Sequence, residues 1–524
     1  MLRSLFTFGS WTLLSRVLGL VRDVVIATFF GAGAATDAFF VAFKIPNFGR
    51  RLFAEGAFSQ AFVPVLSEYR LHRSLEEVRA LIARASGTLG LVLLALTLIG
   101  VLGAQGVMAL FAPGWLADDP TKFAMAVDML RLTFPYLLLI SLVACAGAVM
   151  NTYGHFGMPA FAPVLLNLCL IAAALWLQPY FQQPIYALAF AVFVAGVLQL
   201  LIQLPVLRRL GVLSWPRWGW KDSGVRRVLR LMGPAVFGSS VAQINLLMDT
   251  VLASFLITGS ITWLYVSDRL MEFPLGIFGV ALGTVILPRL SGEHSSARPA
   301  QFSATLDWAL RLTVLIALPA AVGLIMLAGP ILTTLFQYKA FLAADVYAAR
   351  LSLFAYAAGL FAFILVKVLA PGYFARQDTR TPVRFAAFSF LLNMVLSALA
   401  VYRLHDTAYG HVGLASATVV AAGANAWMLF RGLRATGVYQ PRDGWGLYAG
   451  RILLAVAAMA IVLYWPAREL HSWLLADVWA RVGRLLLWVS AGVVVYGAVL
   501  WLSGLRPGSL RAPAAHGRGA SKPL

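Results

Sequence analysis

Cysteine is nearly absent from this chain. Two residues in 524, Cys145 and Cys169, both lie inside apolar runs, so neither a disulfide framework nor a cysteine-built metal site is implied. Charge is also scarce, at 12% of residues, and acidic charge scarcer still: 21 Asp and Glu against 41 Lys and Arg give a net charge of +20. The seven histidines are scattered without metal-ligand spacing. There is no Walker A sequence, no glycine-rich dinucleotide turn after a strand, and no soluble insertion long enough to hold a nucleotide domain. Transport powered by ATP hydrolysis within this chain is therefore not expected.

Apolar sequence fills the chain instead, with 61% hydrophobic residues and a mean hydropathy of +0.83. That profile is an all-α polytopic membrane protein. Apolar runs long enough to cross a bilayer predict fourteen transmembrane helices. They fall near 9–31, 36–66, 82–112, 124–151, 157–177, 184–207, 226–258, 262–290, 303–335, 346–373, 382–402, 410–431, 445–466 and 482–505. The first helix has no small-residue cleavage site and is expected to be retained. Most Lys and Arg fall in the even-numbered connections, among them Arg70, Arg73, Arg208, Arg209, Arg376 and Arg434, whereas the odd ones hold little more than Lys122, Lys339, Arg403 and Arg468. By the positive-inside rule both termini are cytoplasmic, and the excess positive charge is topogenic rather than a nucleic-acid footprint.

An internal repeat is visible. The run from Arg131 resembles the run from Arg350, aligning Pro163 with Pro382, and the run from Gly56 resembles that from Val280, aligning Pro64 with Pro288. A shift of six helices preserves orientation, so the expected architecture is two parallel-repeat six-helix lobes plus two extra C-terminal helices around a central cavity. The corresponding segments are 1–222, 223–440 and 441–505, followed by a Pro-, Gly- and Arg-rich tail, 506–524, expected to be disordered beside anionic lipid.

Charge inside the first two spans is the main departure from apolarity. Between Ser15 and Pro64 lie Arg16, Arg22, Asp23, Asp37, Lys44, Arg50, Arg51 and Glu55. Each ionised group at the bilayer centre costs about 2.5 to 3.5 kcal/mol, so these residues must face one another, a wet cavity or the interface. At 100° per residue Arg16 and Asp23 share a face, as do Asp37 with Lys44 and Arg51 with Glu55. Pro46 is expected to kink or unwind the helix over 46–49. In the second lobe Asp268, Arg269 and Glu272 cluster just before Pro274. Arg16, Arg22, Arg50, Arg51 and Arg269 are thus candidate ligands for a phosphorylated substrate, because the guanidinium fork donates two bonds to phosphate oxygens. Asp23, Asp37, Glu55, Asp268 and Glu272 are candidate partners or gates. Asp249, with Asn393 and Ser397, offers hard oxygen atoms for a small cation or a proton site; a helix-helix hydrogen bond explains the same residues.

Ser15 to Asp23 (SRVLGLVRD), Gly31 to Asn47 (GAGAATDAFFVAFKIPN), Arg50 to Pro64 (RRLFAEGAFSQAFVP), Asp268 to Gly276 (DRLMEFPLG) and Val368 to Pro382 (VLAPGYFARQDTRTP) closely resemble the MurJ (formerly MviN) lipid II flippases. The resemblance covers nearly the whole chain and is weakest after about Trp445. It implies a fold of the multidrug/oligosaccharidyl-lipid/polysaccharide exporter superfamily and residence in the bacterial inner membrane. It also implies movement of lipid II, an undecaprenyl diphosphate bearing a disaccharide-pentapeptide, to the periplasmic leaflet for peptidoglycan synthesis. Arg16, Arg22, Asp37, Arg50, Glu55, Arg269 and Glu272 match the family's cavity residues. Asp249, Asn393 and Ser397 fall where some members are thought to hold sodium, with Ser397 a weaker ligand than a carboxylate. No cofactor is implied beyond a coupling cation, Na+ or H+, or the membrane potential. The expected partners are lipid II, membrane phospholipids and cell-wall synthesis proteins, and a monomer is expected. The alternatives are a flippase for another polyprenyl-diphosphate-linked oligosaccharide, a lipid-linked glycosyltransferase, which would want an acidic pair in a sizeable loop, and a non-transporting scaffold.

Overall fold

The computed structural model describes residues 2–50 and 58–506, with side chains described except at 2–8, 234–246 and 280. The tail segment 507–524 and the charged stretch 51–57 lie outside that description. All regular structure among the described residues is helical. Eleven helices there are long and apolar enough to cross a membrane. They correspond to eleven of the predicted spans. The other three are the spans near 9–31, 36–66 and 226–258. The first carries Arg16, Arg22 and Asp23, and the second is described as two short helices, Ala34–Arg50 of 17 residues and Ser59–His72 of 14.

Residues 1–262, with 338–342 and 405–407, form one compact unit. Its chain opens with α1 (Leu2–Phe30), α2 (Ala34–Arg50), α3 (Ser59–His72) and α4 (Leu75–Leu102). Local signals start the helices. Ser74 and Glu77 form a reciprocal capping box at α4, satisfying two orphan donors. Gly103 then divides the predicted span 82–112 into α4 and the short α5 (Ala104–Phe111). After α6 (Pro113–Asp118), Asp119 accepts from the Lys122 amide at 3.0 Å and Pro120 occupies the first turn of α7 (Pro120–Thr133). That helix therefore begins before the predicted 124. Phe134 and Pro135 separate it from α8 (Tyr136–Thr152), so the predicted span 124–151 is two segments. The unit continues through α9 (Gly157–Ala172), α10 (Tyr186–Leu201), α11 (Leu204–Arg209) and α12 (Ser223–Ala253), the last capped by Asp222. Phe62, Leu66, Leu81, Leu93, Val149 and Met150 are at the centre of its core.

Of the kink or unwinding expected at Pro46, the unwinding does not occur: α2 runs on to Arg50. A proline has no amide proton for the carbonyl four residues earlier, here Ala42. The Thr133 hydroxyl on α7 donates to that carbonyl at 3.0 Å, replacing the missing bond. Thr133→Val keeps the shape and removes the donor, leaving a buried carbonyl unsatisfied. Thermal unfolding in detergent is expected to register a loss of about 1 to 2 kcal/mol; an unchanged transition would show that the Ala42 carbonyl finds another donor. The same repair occurs at Pro319, where the Tyr496 hydroxyl donates to the Leu315 carbonyl at 2.6 Å.

The second unit comprises residues 263–337, 343–404 and 408–524. Here α13 (Ser260–Pro274) passes through a π-helical turn, Leu275–Gly279, into α14 (Val280–Ser295). Then come α15 (Pro299–Met326), α16 (Ala328–Phe336), α17 (Ala343–Phe374), α18 (Arg380–Leu404) and α19 (Gly410–Ala435). The C-terminal pair, α20 (Trp445–Arg468) and α22 (Val478–Leu502), flanks the short α21 (Leu470–Leu475). Tyr448, Ile452, Val456 and Leu500 pack with Val314 and Leu318 of α15.

Two polar knots hold that pair. The buried Asp307 of α15 accepts from the Tyr439 hydroxyl at 2.9 Å, from Trp445 Nε1 at 2.7 Å and from Arg311 Nε at 2.8 Å. Burial, and after it the Asp307 charge, push the Tyr439 hydroxyl above its usual range, so it remains a donor. At the other end the buried Arg481 donates to the backbone carbonyls of Trp473, Leu474, Thr333 and Gln337. These belong to the C-terminal turns of α16 and α21, where a cation is favoured by the helix dipole.

Candidate functional site

In the first unit the structure sorts the predicted charges into buried and exposed. Arg22 and Asp23 are 9% and 2% exposed and pair with each other: Arg22 Nε and Nη2 donate to Asp23 Oδ1 at 2.9 and 2.6 Å. Adjacent helical residues do not normally face one another, and only the length of the arginine closes the gap. Arg22 Nη1 also donates to Asn167 Oδ1 on α9 at 3.1 Å, while Asn167 Nδ2 donates back to the Ser15 carbonyl at 3.0 Å. Arg16, expected on the same face as Asp23, is exposed, and the neighbouring Arg22 is the residue that pairs with Asp23. Asn167 was not singled out from sequence, although an amide within an apolar span is the signal that marks it.

Asp37 is a buried carboxylate with four hydrogen-bond donors. Lys44, expected on its face, is exposed, and the cation that reaches Asp37 is Lys122 of α7, with Nζ 2.9 Å from Oδ2. The pair is 1% and 2% exposed. Asp37 Oδ2 also accepts from the Gly259 amide at 2.8 Å, and Oδ1 from the Thr262 amide at 3.0 Å and its hydroxyl at 2.7 Å. Lys122 lies over the Trp115 ring at 4.5 Å and reaches Thr258 Oγ1 at 3.4 Å. Charges this dry persist only when nearly every donor and lone pair is matched. Lys122, expected in a connection, lies on α7; Asp119 followed by Pro120, a capping residue and a first-turn proline, is the signal that puts it on a helix. The latch is joined by a second contact. Gly31 has φ +65°, and a Cβ there would collide with the Ala340 carbonyl. Beside it the Ala340 amide donates to the Thr28 carbonyl at 3.0 Å, and Lys339 lies over the Phe29 ring at 4.2 Å.

The remaining predicted residues divide between the two units. Arg50 is half-buried and donates from Nε to Asn47 Oδ1 at 3.1 Å. Arg51 and Glu55 lie outside the described residues. In the second unit Arg269 Nη1 donates to the exposed Glu272 at 3.3 Å, a pair of the kind worth under about 1 kcal/mol, with Asp268 half-buried beside it. Asp249 is half-buried on α12 of the first unit; Asn393 and Ser397 are buried on α18 of the second, where Ser397 Oγ donates to Asn393 Oδ1 at 3.4 Å.

Comparison with known proteins places these features in context. Residues 26–482 match the family model described as "Lipid II flippase MurJ". A protein of Vibrio cholerae described as a probable lipid II flippase MurJ is 49% identical over 98% of both chains. The lipid II flippase MurJ of Burkholderia cenocepacia is 42% identical over 96% of this chain and 98% of its own. Among solved structures, a lipid II flippase MurJ in an inward closed conformation superposes with a TM-score of 0.78 at 26% identity, covering 94% of this chain and 98% of the other. A multidrug resistance MATE transporter of the MOP superfamily, inward-facing, shares the fold at a TM-score of 0.65 and 14% identity over 83% of this chain and 98% of its own. A chain matched nearly end to end by these relatives, with eleven membrane-length helices of its own, is a multi-pass membrane protein and belongs to the lipid II flippase MurJ family.

Proposed function

We infer that the protein is a lipid II flippase of the bacterial inner membrane, carrying the diphosphate-linked peptidoglycan precursor from the cytoplasmic to the periplasmic leaflet. The observation that carries this reading is the end-to-end match to proteins described as lipid II flippases, with 49% identity over 98% of both chains for one of them. The finer architecture belongs to the same proposal: fourteen spans, two six-helix lobes and a C-terminal pair around a central cavity, both termini cytoplasmic, acting as a monomer.

The charge arrangement supports a mechanism. Arg22 is already oriented by Asp23 and Asn167, and the diphosphate displaces the Asp23 carboxylate from its fork. Arg269, whose pair with the exposed Glu272 is of a kind worth under about 1 kcal/mol, is the candidate second guanidinium for the diphosphate. With the termini inside, the Asp37–Lys122 latch and the Gly31–Ala340 contact sit at the periplasmic end, where their release opens an exit. Return of Asp23 to Arg22 helps expel the diphosphate. The membrane potential, worth about 2.3 kcal/mol per charge per 100 mV, or a coupling cation, Na+ or H+, supplies direction.

Purified protein in liposomes tests the reading against a flippase for other polyprenyl-diphosphate oligosaccharides. Labelled lipid II is expected to cross at least about tenfold faster than an undecaprenyl-diphosphate glycan without peptide, the margin of about 1.4 kcal/mol. Equal rates would make the protein a general polyprenyl-diphosphate flippase. No crossing of either, with folded protein and an imposed potential, would favour a scaffold.

A further inference from the structure

We propose that the segment 211–222, between α11 and α12, is a membrane-surface anchor that binds anionic phospholipid headgroups of the cytoplasmic leaflet. The proposal rests on the membrane reading and on the positive-inside orientation, and not on which lipid is carried.

Its backbone has no helical structure yet is fixed. At the end of α11, Gly211 turns with φ +69° and the Val212 amide donates to the Leu207 carbonyl at 3.1 Å. The extended chain then lies along the third and fourth turns of α4. The Arg217 amide donates to the Ala83 carbonyl at 2.8 Å and the Gly219 amide to Thr88 Oγ1 at 3.1 Å. Gly87 allows that approach, because a Cβ there would collide with the Arg217 backbone. Arg79 donates to the Gly211 carbonyl and Arg84 pairs with Asp222 at 2.5 Å.

This fixed backbone presents three indoles outward. Trp215, Trp218 and Trp220 are 88%, 57% and 47% exposed, and the last two stack with centroids 5.9 Å apart. Large aromatics held in the open on an ordered loop, between helices that enter a membrane, match the interfacial layer, where indole is favoured. The charge beside them selects the lipid. Between residues 208 and 230 there are seven Lys or Arg and a single acid, Asp222. Asp222 is already used: Oδ1 caps α12 through the Gly224 and Val225 amides, and Oδ2 takes Arg84. No carboxylate among the described residues pairs with the exposed Arg208, Arg209, Arg217 or Lys221. Cations flanking interfacial aromatics complement a phosphodiester layer of net negative charge.

The test uses the full-length protein in phosphatidylcholine nanodiscs containing either brominated phosphatidylglycerol or brominated phosphatidylcholine. The fluorescence of the three indoles is the difference between wild type and the Trp215→Phe/Trp218→Phe/Trp220→Phe variant; Trp215→Phe alone gives a second reading that removes only the most exposed ring. Quenching of this difference signal is expected to be at least about threefold stronger with the brominated anionic lipid, and Arg217→Gln with Lys221→Gln to bring the two lipids to parity. Parity in the wild type would overturn headgroup recognition. Absence of quenching by both lipids would overturn the anchor and leave a protein partner as the occupant of this surface.

Discussion

Asp37→Ala is expected to lower stability by about 3 to 5 kcal/mol, the penalty of stranding a buried charge. Lys122 would keep only the long contact to Thr258 and the Trp115 ring. The reverse substitution is milder. After Lys122→Met, Asp37 still accepts from two backbone amides and the Thr262 hydroxyl, so a loss of about 1 to 3 kcal/mol is expected. Asp37→Asn combined with Lys122→Met removes both charges and is expected to recover most of that loss, because a buried pair is seldom more stable than its neutral replacement. Thermal unfolding of the four proteins in one detergent measures the asymmetry. Equal losses for the two single variants would mean that solvent reaches the pair. Transport separates the latch from mere stability: the double variant, folded but unlatched, is expected to move lipid II with altered rate and altered dependence on potential, whereas unchanged transport would make the pair purely structural.

Arg22→Lys is expected to reduce lipid II translocation by about 10- to 100-fold, as one or two charge-assisted bonds worth about 1.5 to 3 kcal/mol are lost. Lysine keeps the charge and can reach Asp23, but a single ammonium cannot hold Asn167 while presenting a planar two-bond fork, first to Asp23 and then to the phosphate that displaces it. Arg269→Lys disturbs the fold less, since its Glu272 pair is exposed, and is expected to reduce transport to a similar degree. Full transport by both lysine variants would show that charge suffices and would remove the fork from the mechanism. Asp23→Asn completes the series. It leaves Arg22 without its buried counterion, so tighter lipid II binding with slower release is expected, read as a lower Kd with a lower turnover in the liposome assay.

The sequence alone determined that the chain is helical and crosses a membrane many times, because an unsatisfied peptide group in hydrocarbon costs several kcal/mol and apolar runs of bilayer length leave the backbone no other solution. It also marked the charged helices, since Arg22, Asp23, Asp37 and Arg269 stand in runs where charge is expensive, and its motifs pointed to the family. What it did not determine is which charge meets which. Periodicity pairs residues on one helix, so it joined Asp37 to Lys44, but the ammonium that reaches Asp37 comes from Lys122, 85 residues away on another helix. Likewise the rule that proline breaks a helix is local, and Thr133 sets it aside from 91 residues away by donating to the Ala42 carbonyl. Contacts of this kind depend on which helices pack and at what height. Only the tertiary structure decides that, because the desolvation that makes a partner obligatory arises after the helices have assembled.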